Sequence, residues 1–430
     1  FHPPGGAGQP DPIIYLQGGP GRNLLASLPV IFEGRFSPFL TLDRDLILFD
    51  QRGTGFSEPS LDCPDYKRLY LELLDWEQDG VLLSEAALDQ RMAQALQQCL
   101  ADLAGIADLA AYHSAANAAD VNDLRAALGY AQVNLWGVSY GTRLALTVMR
   151  DYPGMVRSAV LDSVYPPEVD FYREGPDNAA RAFDQLFAGC AADESCAAAF
   201  PDLRTLFFNL VRRLDETPAI VAAISTLSSF DYPMVLDGDR LLDFVFNALY
   251  VTQLLPELPR IIARADGGDF ALIGALYMPL TRTEDISLGM YYAVQCHEEA
   301  AFSSREAVEA AVAAHPDIAG LYEIDTSIFE LCAAADFGMG DPVETEPVVS
   351  DVPALILAGQ YDPITPPRWA QGAAASLTHA YYYEFPGVGH GAIAGGRCPY
   401  RIITAFIADP ATEPDSACIA QMGPPPWATR

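Results

Sequence analysis

The sequence predicts an α/β fold in which a mostly parallel sheet is flanked by helices and interrupted by an inserted helical region. Three observations predict it. Short apolar runs alternate with helix-like segments in the first half, this alternation stops in the middle of the chain, and two more strand-like runs follow residue 350. Alternation is typical of parallel sheets, because parallel neighbours need a crossover connection that a helix supplies.

The predicted strands are apolar runs that end at Gly, Pro or polar turn residues. They are Ile13 to Gln17, Leu46 to Asp50, Val133 to Gly137, Ser158 to Asp162, Ala354 to Ala358 and Tyr381 to Phe385. Two amphipathic helices are predicted beside them, Ala116 to Leu128 and Thr142 to Asp151.

The middle of the chain predicts helices without strands between them. These helix-like segments are Asn178 to Ala191, Arg240 to Tyr250, Leu254 to Ala265 and Ser304 to Ala314. We therefore expect the first part of the core in residues 1–165, a helical cap in 166–350 and the second part of the core in 351–430.

Composition excludes several function classes. Half of the 430 residues are hydrophobic and only 19% are charged, which is enough for a large buried core. The net charge of −32 argues against nucleic-acid partners and anionic membranes. No apolar run approaches the roughly 18 to 20 residues of a membrane helix, so we expect no membrane insertion.

The eight cysteines predict disulfides, because none falls in a C-x-x-C pair that would suggest zinc or redox chemistry. Short sequence separations favour pairing between neighbours along the chain. The expected pairs are Cys63 with Cys99, Cys190 with Cys196, Cys296 with Cys332, and Cys398 with Cys418. We expect a secreted, periplasmic or cell-envelope protein whose export signal was removed before Phe1.

Ser139 is the predicted nucleophile. It stands in Gly137–Gly141, Gly-Val-Ser-Tyr-Gly, between an apolar strand and a helix-like stretch. A tight strand-to-helix turn lifts a serine hydroxyl above the end of a sheet, and small neighbours are needed where the backbone is crowded.

A serine nucleophile needs a histidine base, and that base needs an acid to fix its tautomer. His390 follows the last predicted strand on a glycine-flanked loop, and Asp362 follows the strand before it. Asp162 also ends a strand and is the rival acid, but the loop of Asp362 neighbours the histidine strand. The structural alternatives are a loop histidine held by backbone atoms and a turn-forming aspartate before Pro363.

Attack on a carbonyl requires backbone N–H groups that already point at the developing oxyanion. The loop Gln17–Gly21, Gln-Gly-Gly-Pro-Gly, follows the first strand, and Gly18 and Gly19 can supply one donor there. The N–H of Tyr140, directly after the nucleophile, would be the second donor. A loop of this composition can equally be an ordinary turn.

Five segments together resemble the prolyl iminopeptidase and tripeptidyl aminopeptidase family of α/β-hydrolases. They are Gly18–Gly21, Asp50–Ser57, Gly137–Arg143, Gly359–Pro363 and Gly389–Gly391. The resemblance implies an α/β-hydrolase fold with a helical cap, the triad Ser139, Asp362 and His390, and a structural role for Asp50–Ser57. Members of the family usually carry two further strands before the first glycine loop, so we expect either a fragment or a smaller sheet.

An aminopeptidase must hold the ammonium group of its substrate, and a partly buried carboxylate does so effectively. The string Cys296–Glu299, Cys-His-Glu-Glu, is similar to a Cys-x-Glu-Asp segment of tripeptidyl-aminopeptidase-like relatives. We expect Glu298 to bind the amine, with Glu299 as the second choice. The alternative is two solvated glutamates at a helix end.

Three functions remain open at this stage. The first is a secreted serine aminopeptidase that releases Pro, small apolar residues or short peptides from peptide N-termini. The second is a carboxylesterase on small esters, because a fold does not fix the substrate. The third is a non-catalytic binding protein on a hydrolase fold. No metal or organic cofactor is expected, since H-E-x-x-H, P-loop and dinucleotide motifs are absent from the sequence.

Overall fold

The computed structural model describes residues 1–78, 81–224, 231–281, 285–333 and 335–429. The six strands of its main sheet are β1 (Ile13–Leu16), β2 (Leu46–Ile47), β5 (Val133–Ser139), β6 (Val156–Val164), β9 (Ala354–Gly359) and β10 (Ala380–Phe385). They lie in the order β10-β9-β6-β5-β1-β2, and every neighbouring pair is parallel. The predicted parallel sheet is therefore confirmed.

Seven helices accompany the described part of this sheet and its connections. They are α1 (Leu28–Arg35), α2 (Pro64–Glu72), α3 (Glu85–Ala104), α4 (Ser114–Ala127), α5 (Tyr140–Asp151), α15 (Pro367–Ser376) and α16 (Arg397–Ala408). Apolar side chains cover both faces of the sheet. Leu135, Leu161 and Ile356 are buried on one face, and Trp136 and Leu357 are buried on the other.

The segment between β6 and β9 supplies most of a separate apolar core, to which Leu74, Tyr361 and Trp427 also contribute. Its helices are α6 (Phe171–Ala192), α7 (Glu194–Ala199), α8 (Leu203–Glu216), α9 (Gly238–Tyr250), α10 (Leu258–Asp266), α11 (Ala271–Thr281), α12 (Leu288–Val294), α13 (Arg305–Ala313) and α14 (Glu323–Ala333). A π-helical turn, Gln295–Glu299, continues α12.

The expectation of helices alone in this segment was wrong in one respect. β7 (Ala219–Ile224) and β8 (Asp231–Leu236) form an antiparallel pair. The pair lies against α11, where a Cβ on Gly274 would stand only 2.3 Å from the carbonyl oxygen of Ala222. This close approach provides a packing surface that the local sequence did not reveal. A further short antiparallel pair, β3 (Glu77–Gln78) and β4 (Val81–Leu82), precedes α3.

The topology brings the predicted catalytic residues to one edge of the sheet. β5 ends at Ser139, β9 ends just before Asp362, and β10 ends just before His390. Because the three strands are parallel, their carboxyl ends share that edge, which is where open α/β sheets place their sites.

Four disulfides join the cysteine pairs expected from the sequence. They are Cys63–Cys99, Cys190–Cys196, Cys296–Cys332 and Cys398–Cys418. Such bonds persist in oxidising compartments, so the four disulfides indicate an extracytoplasmic environment. Among the described helices, none combines the length and the apolar character needed to cross a bilayer.

The disulfides should differ in their contribution to stability. The cysteines of the Cys63–Cys99 bond are 36 residues apart and those of the Cys190–Cys196 bond are 6 apart. On chain entropy alone, the longer loop is worth about 1.6 kcal/mol more. Urea unfolding of the double variants Cys63→Ala/Cys99→Ala and Cys190→Ala/Cys196→Ala should show the larger loss for the first. An equal loss, or the reverse order, would contradict the entropic account.

Candidate active site

Ser139 lies at a strained turn between β5 and α5. Its φ is +58°, in a region that residues other than glycine rarely occupy. A conformation of this kind costs about 1–3 kcal/mol and persists only where the surrounding packing enforces it. The turn therefore has the backbone geometry expected of a nucleophile at the top of a sheet.

Glycines enforce the turn by close backbone contacts. A Cβ on Gly141 would stand 2.0 Å from the carbonyl oxygen of Leu16, and one on Gly137 would stand 2.3 Å from that of Gly141. The loop after β1 approaches equally closely, since a Cβ on Gly18 would be 3.0 Å from the Ser139 Cβ and 3.6 Å from its Oγ. The glycine loop thus lies directly beside the Ser139 hydroxyl.

The segment Asp50–Ser57 supports these loops from behind. The Asp50 carboxylate accepts hydrogen bonds from the backbone N–H groups of Leu24, Leu25 and Phe56. The Gln51 amide donates to the carbonyl oxygen of Gln17 at 2.8 Å, immediately before Gly18. These contacts fit the structural role that the sequence resemblance implied for this segment.

His390 and Asp362 form a hydrogen-bonded pair. His390 Nδ1 lies 2.8 Å from Asp362 Oδ2, and Asp362 is completely buried. Oδ1 accepts from the backbone N–H groups of Ile364 and Thr365, and the Thr365 hydroxyl donates to Oδ2 at 2.7 Å. Burial opposes ionisation, but the charge of His390 and these donors outweigh it, so the pKa of Asp362 is lowered. An ionised acid can hold the imidazole with Nε2 free to act as a base.

The histidine loop also approaches the residue before Ser139. A Cβ on Gly391 would lie 3.9 Å from Val138, the residue before Ser139. The structure thus brings the strand ends that carry Ser139, Asp362 and His390 to the same edge of the sheet.

Asp162, the rival acid, makes different contacts. Its Oδ1 accepts from the N–H of Ala392 at 2.5 Å, and its Oδ2 accepts from the N–H of Ile393 at 3.1 Å. The hydroxyl of Ser163, itself at a φ of +58°, accepts from the N–H of Gly391. Complete burial raises the pKa of Asp162 to about 6 despite its two backbone donors. Asp162 therefore fixes the backbone of the histidine loop, whereas Asp362 holds the ring.

Residues between β6 and β9 complete the surroundings of the histidine. The Tyr250 ring packs edge-on against His390 with centroids 5.0 Å apart, and the Tyr250 carbonyl accepts from the His390 N–H. Arg181 on α6 donates to the carbonyl oxygens of Gln360 and Asp362. The inserted segment is thus joined to both the base and the acid.

Glu298 and Glu299 flank one buried guanidinium. Glu298 Oε2 accepts from Arg143 Nε at 2.8 Å and from the Ser114 hydroxyl, and its Oε1 accepts from the Ser114 N–H. Arg143 Nη1 lies 2.7 Å from Glu299 Oε1 as an ion pair, outside hydrogen-bond geometry. Burial lowers the pKa of Arg143, but the two glutamates outweigh it and raise that pKa, so Arg143 stays charged. When both carboxylates are ionised, two of them against one guanidinium leave one excess negative charge.

Sequence reasoning missed three supporting residues. Thr365 stands three residues after the acid, a spacing at which a hydroxyl can bond back to a carboxylate. Arg143 follows the nucleophile in a helix that is otherwise almost wholly buried, and a buried arginine signals a charged partner. Ser163 carried no local signal, because its partner Gly391 is more than two hundred residues away.

Comparison with known proteins defines the class. Residues 11–252, more than half of the chain, match the family described as alpha/beta hydrolase fold. Residues 323–418 match a second family described as TAP-like protein. The chain therefore belongs to the α/β-hydrolases, with a TAP-like C-terminal region, and the resemblance drawn from the motifs is confirmed.

Two curated relatives have established names. Serine protease Hip1 of Mycobacterium tuberculosis is 31% identical over 186 residues, which cover 42% of this chain and 34% of the relative. Tripeptidyl aminopeptidase of Streptomyces lividans is 32% identical over 163 residues, covering 37% of this chain and 29% of the relative. The matched part spans about a third of the length of these relatives. A solved proline iminopeptidase of Mycobacterium smegmatis overlays 95% of this chain and 91% of its own at 14% identity, with a TM-score of 0.41.

If Ser139, Asp362 and His390 form a triad, replacing Asp162 with Asn should impair catalysis without changing any of the three. Asn offers one acceptor oxygen where the histidine loop presents two N–H groups, so that loop should shift. Displacements near 1 Å can cost about 10²-fold, and we expect kcat to fall roughly 10- to 100-fold on any substrate.

The matched control is Asp215→Asn, because Asp215 also accepts a backbone N–H, from Gly238, but lies in the inserted segment. Its kcat should stay near that of the wild type. An Asp162→Asn variant with unchanged kcat would show that these bonds do not position His390.

Proposed function

We propose that this protein is a secreted serine aminopeptidase that releases Pro, small apolar residues or short peptides from peptide N-termini through an acyl-enzyme. The observation that carries the proposal is the Asp362–His390 pair beside the strained turn of Ser139. The partial similarity to a serine protease and to a tripeptidyl aminopeptidase supports the choice of peptides as substrates. The four disulfides support secretion.

The proposed reaction follows from the roles available to the three side chains. His390 takes the proton of the Ser139 hydroxyl as Oγ attacks the scissile carbonyl, and Asp362 stabilises the resulting imidazolium. The N–H groups of the Gly18–Gly19 loop and of Tyr140 would stabilise the oxyanion. The imidazolium then gives its proton to the leaving amine. Water, activated by His390, hydrolyses the acyl-enzyme and frees the N-terminal product.

Substrate recognition would use the excess negative charge around Arg143. Glu298 already accepts three hydrogen bonds, whereas Glu299 Oε1 accepts none from the described residues and is held only by its ion pair with Arg143. Glu299 is therefore the better candidate for the substrate amine, and Glu298 holds Arg143 and Ser114 in place. This reverses the order of preference that the sequence suggested. Residues 166–350 would act as the cap that presents Glu299 to the site.

Covalent labelling tests the catalytic role of Ser139. A fluorophosphonate probe should label the wild type and not Ser139→Ala, and that variant should lose roughly four to six orders of magnitude in turnover. A folded wild-type chain that resists the probe would contradict serine catalysis and favour the binding-protein alternative.

A substrate panel tests the specificity. Aminoacyl and tripeptidyl arylamides with a free amine should be cleaved, and their N-blocked counterparts should be poor substrates. Efficient cleavage of p-nitrophenyl esters with no cleavage of any arylamide would overturn the peptidase assignment in favour of an esterase.

The two glutamates should respond differently to mutation. Glu299→Gln should lower kcat/KM for free-amine arylamides about 10- to 100-fold through the loss of one charge-assisted contact, and should spare small esters. Glu298→Gln should impair both substrates, because it disturbs the support of α5. An equal loss on both substrates in Glu299→Gln would refute its role in amine binding.

The pH dependence gives an independent check on Glu299. Burial raises the pKa of Glu299 to about 7, above the ordinary glutamate value, even though Arg143 opposes the shift. Only the ionised form attracts an ammonium, so amine binding should weaken as the pH falls through about 7. The ratio of kcat/KM for arylamide to that for ester should fall over this range, because protonation of the base affects both substrates alike. In Glu299→Gln the ratio should be flat with pH, and a wild-type ratio that is flat would contradict the assignment.

A further inference from the structure

A compact group of two histidines and one glutamate lies outside the proposed triad. His113 directly precedes α4, His297 lies in the π-helical turn Gln295–Glu299, and Glu344 lies in the short 3₁₀ helix Pro342–Thr345. One nitrogen of each histidine and one oxygen of the carboxylate lie within 4.8 Å of one another. These three residues are called the His-His-Glu cluster below.

Hydrogen bonding prepares His297 to act as a ligand. Its Nδ1 lies 2.8 Å from the carbonyl oxygen of Phe337. Because a carbonyl oxygen only accepts, Nδ1 carries the proton and Nε2 keeps its lone pair. A ring nitrogen bonded to a backbone carbonyl is the usual support of a metal-binding histidine, since it fixes the tautomer and the ring orientation.

The other two members carry buried polar atoms that lack hydrogen bonds to the described residues. They are His113 Nδ1 and Glu344 Oε2. Glu344 is only 8% exposed and its other oxygen accepts from the N–H of Asp341, so its side chain is held with Oε2 directed inward. Buried polar atoms are nearly always satisfied, and these two therefore point to a partner other than the protein.

The local charge favours a cation as that partner. Glu344 forms no ion pair within the described part of the chain. The neighbouring carboxylate Glu298 adds to the negative potential there, and the more weakly acting Arg150 offsets it only in part. An uncompensated buried carboxylate is costly, and a bound cation removes that cost.

We propose that the His-His-Glu cluster binds one divalent transition-metal ion of the zinc class, with water as a further ligand. Two imidazoles and one carboxylate suit Zn²⁺, whose bonds to such ligands measure about 2.0–2.2 Å. Ligand atoms on such an ion lie roughly 3.4 Å apart. The His113 and His297 rings are stacked in this structure with centroids 4.2 Å apart, so binding would require the His113 ring to turn until its nitrogen and the other two ligand atoms face one ion.

The ion would have a structural role. It would join three segments that are distant in sequence, since the ligands come from the start of α4, the inserted segment and the connection to β9. His113 and His297 are each followed directly by a residue of the Ser114–Glu298 contact, which supports Arg143. Metal binding would therefore stabilise the packing behind α5 without contacting the substrate, so this inference is independent of the proposed function.

Metal analysis of the intact chain tests the inference. The chain is prepared without a histidine tag, treated with a chelator, incubated with Zn²⁺ and dialysed. We expect about one equivalent of zinc per chain by mass spectrometry and a thermal midpoint that rises with Zn²⁺ and falls again with the chelator. Bound Co²⁺ should give the visible absorption of a low-symmetry nitrogen and oxygen site.

Variants locate the site. His297→Ala and Glu344→Gln should each weaken zinc binding at least about tenfold, because even supporting residues of metal sites have effects of this size. The matched controls are His315→Ala and His2→Ala, whose rings pair with the carboxylates of Asp177 and Asp45 outside the cluster, and these should bind zinc like the wild type.

Two outcomes would overturn the inference. One is a wild-type chain that retains no zinc and gives no Co²⁺ absorption. The other is zinc binding that persists unchanged in both His297→Ala and Glu344→Gln. If those variants fail to fold, the Co²⁺ spectrum and the zinc content of the wild type still show whether the chain binds one metal ion at a nitrogen and oxygen site.

Discussion

The close packing of glycines around Ser139 is the constraint on which the site depends. Gly141 lies so close to the carbonyl oxygen of Leu16 that no side chain fits between α5 and the end of β1. This contact forces the sharp turn after β5 and holds Ser139 at a positive φ. The strain is offset by burial of the helix on the sheet, so Ser139 is positioned by the rigid core and not by a mobile loop. Everything else in the site is arranged relative to that fixed point.

Buried charge forms a second layer behind this turn. Arg143 enters the interior on α5, and Glu298 and Glu299 meet it from the inserted segment. Removing one partner from such a group leaves an uncompensated charge in a poorly hydrated interior, so the group ties the two parts of the molecule together. Next to Glu298 in the chain, His297 belongs to the His-His-Glu cluster, whose Glu344 forms no ion pair among the described residues. A substrate amine and a metal ion would each balance charge that the folded chain leaves in excess.

Local sequence signals were sufficient to predict those residues whose chemical role and backbone conformation both depend on their immediate neighbours in the chain. The triad candidates were identified from the glycines on both sides of Ser139 and from the turns directly after the apolar runs of β9 and β10. Each of these signals lies within a few residues of the side chain that it predicts. The same holds for the disulfides, since short separations favour neighbours along the chain.

The pair β7 and β8 was not predicted, because its packing surface on α11 is supplied by residues about fifty positions away. Asp162 was recognised as a carboxylate at a strand end, but its partners in the histidine loop are some two hundred and thirty residues distant.

The sequence by itself determined the parallel α/β sheet, the order of its catalytic motifs, the cysteine pairing and the oxidising environment, because these follow from local periodicity, turn chemistry and composition. Only the tertiary structure decided that Asp162 holds the histidine loop while Asp362 holds the ring of His390. It also decided which glutamate oxygen lacks a hydrogen bond from the described residues, and that His113, His297 and Glu344 lie close together. The physical reason is that each of these outcomes depends on how burial and hydrogen bonding are shared among residues that are far apart in the chain. The sequence specifies which polar and charged groups are present, and the fold determines which of them form hydrogen bonds or ion pairs with one another.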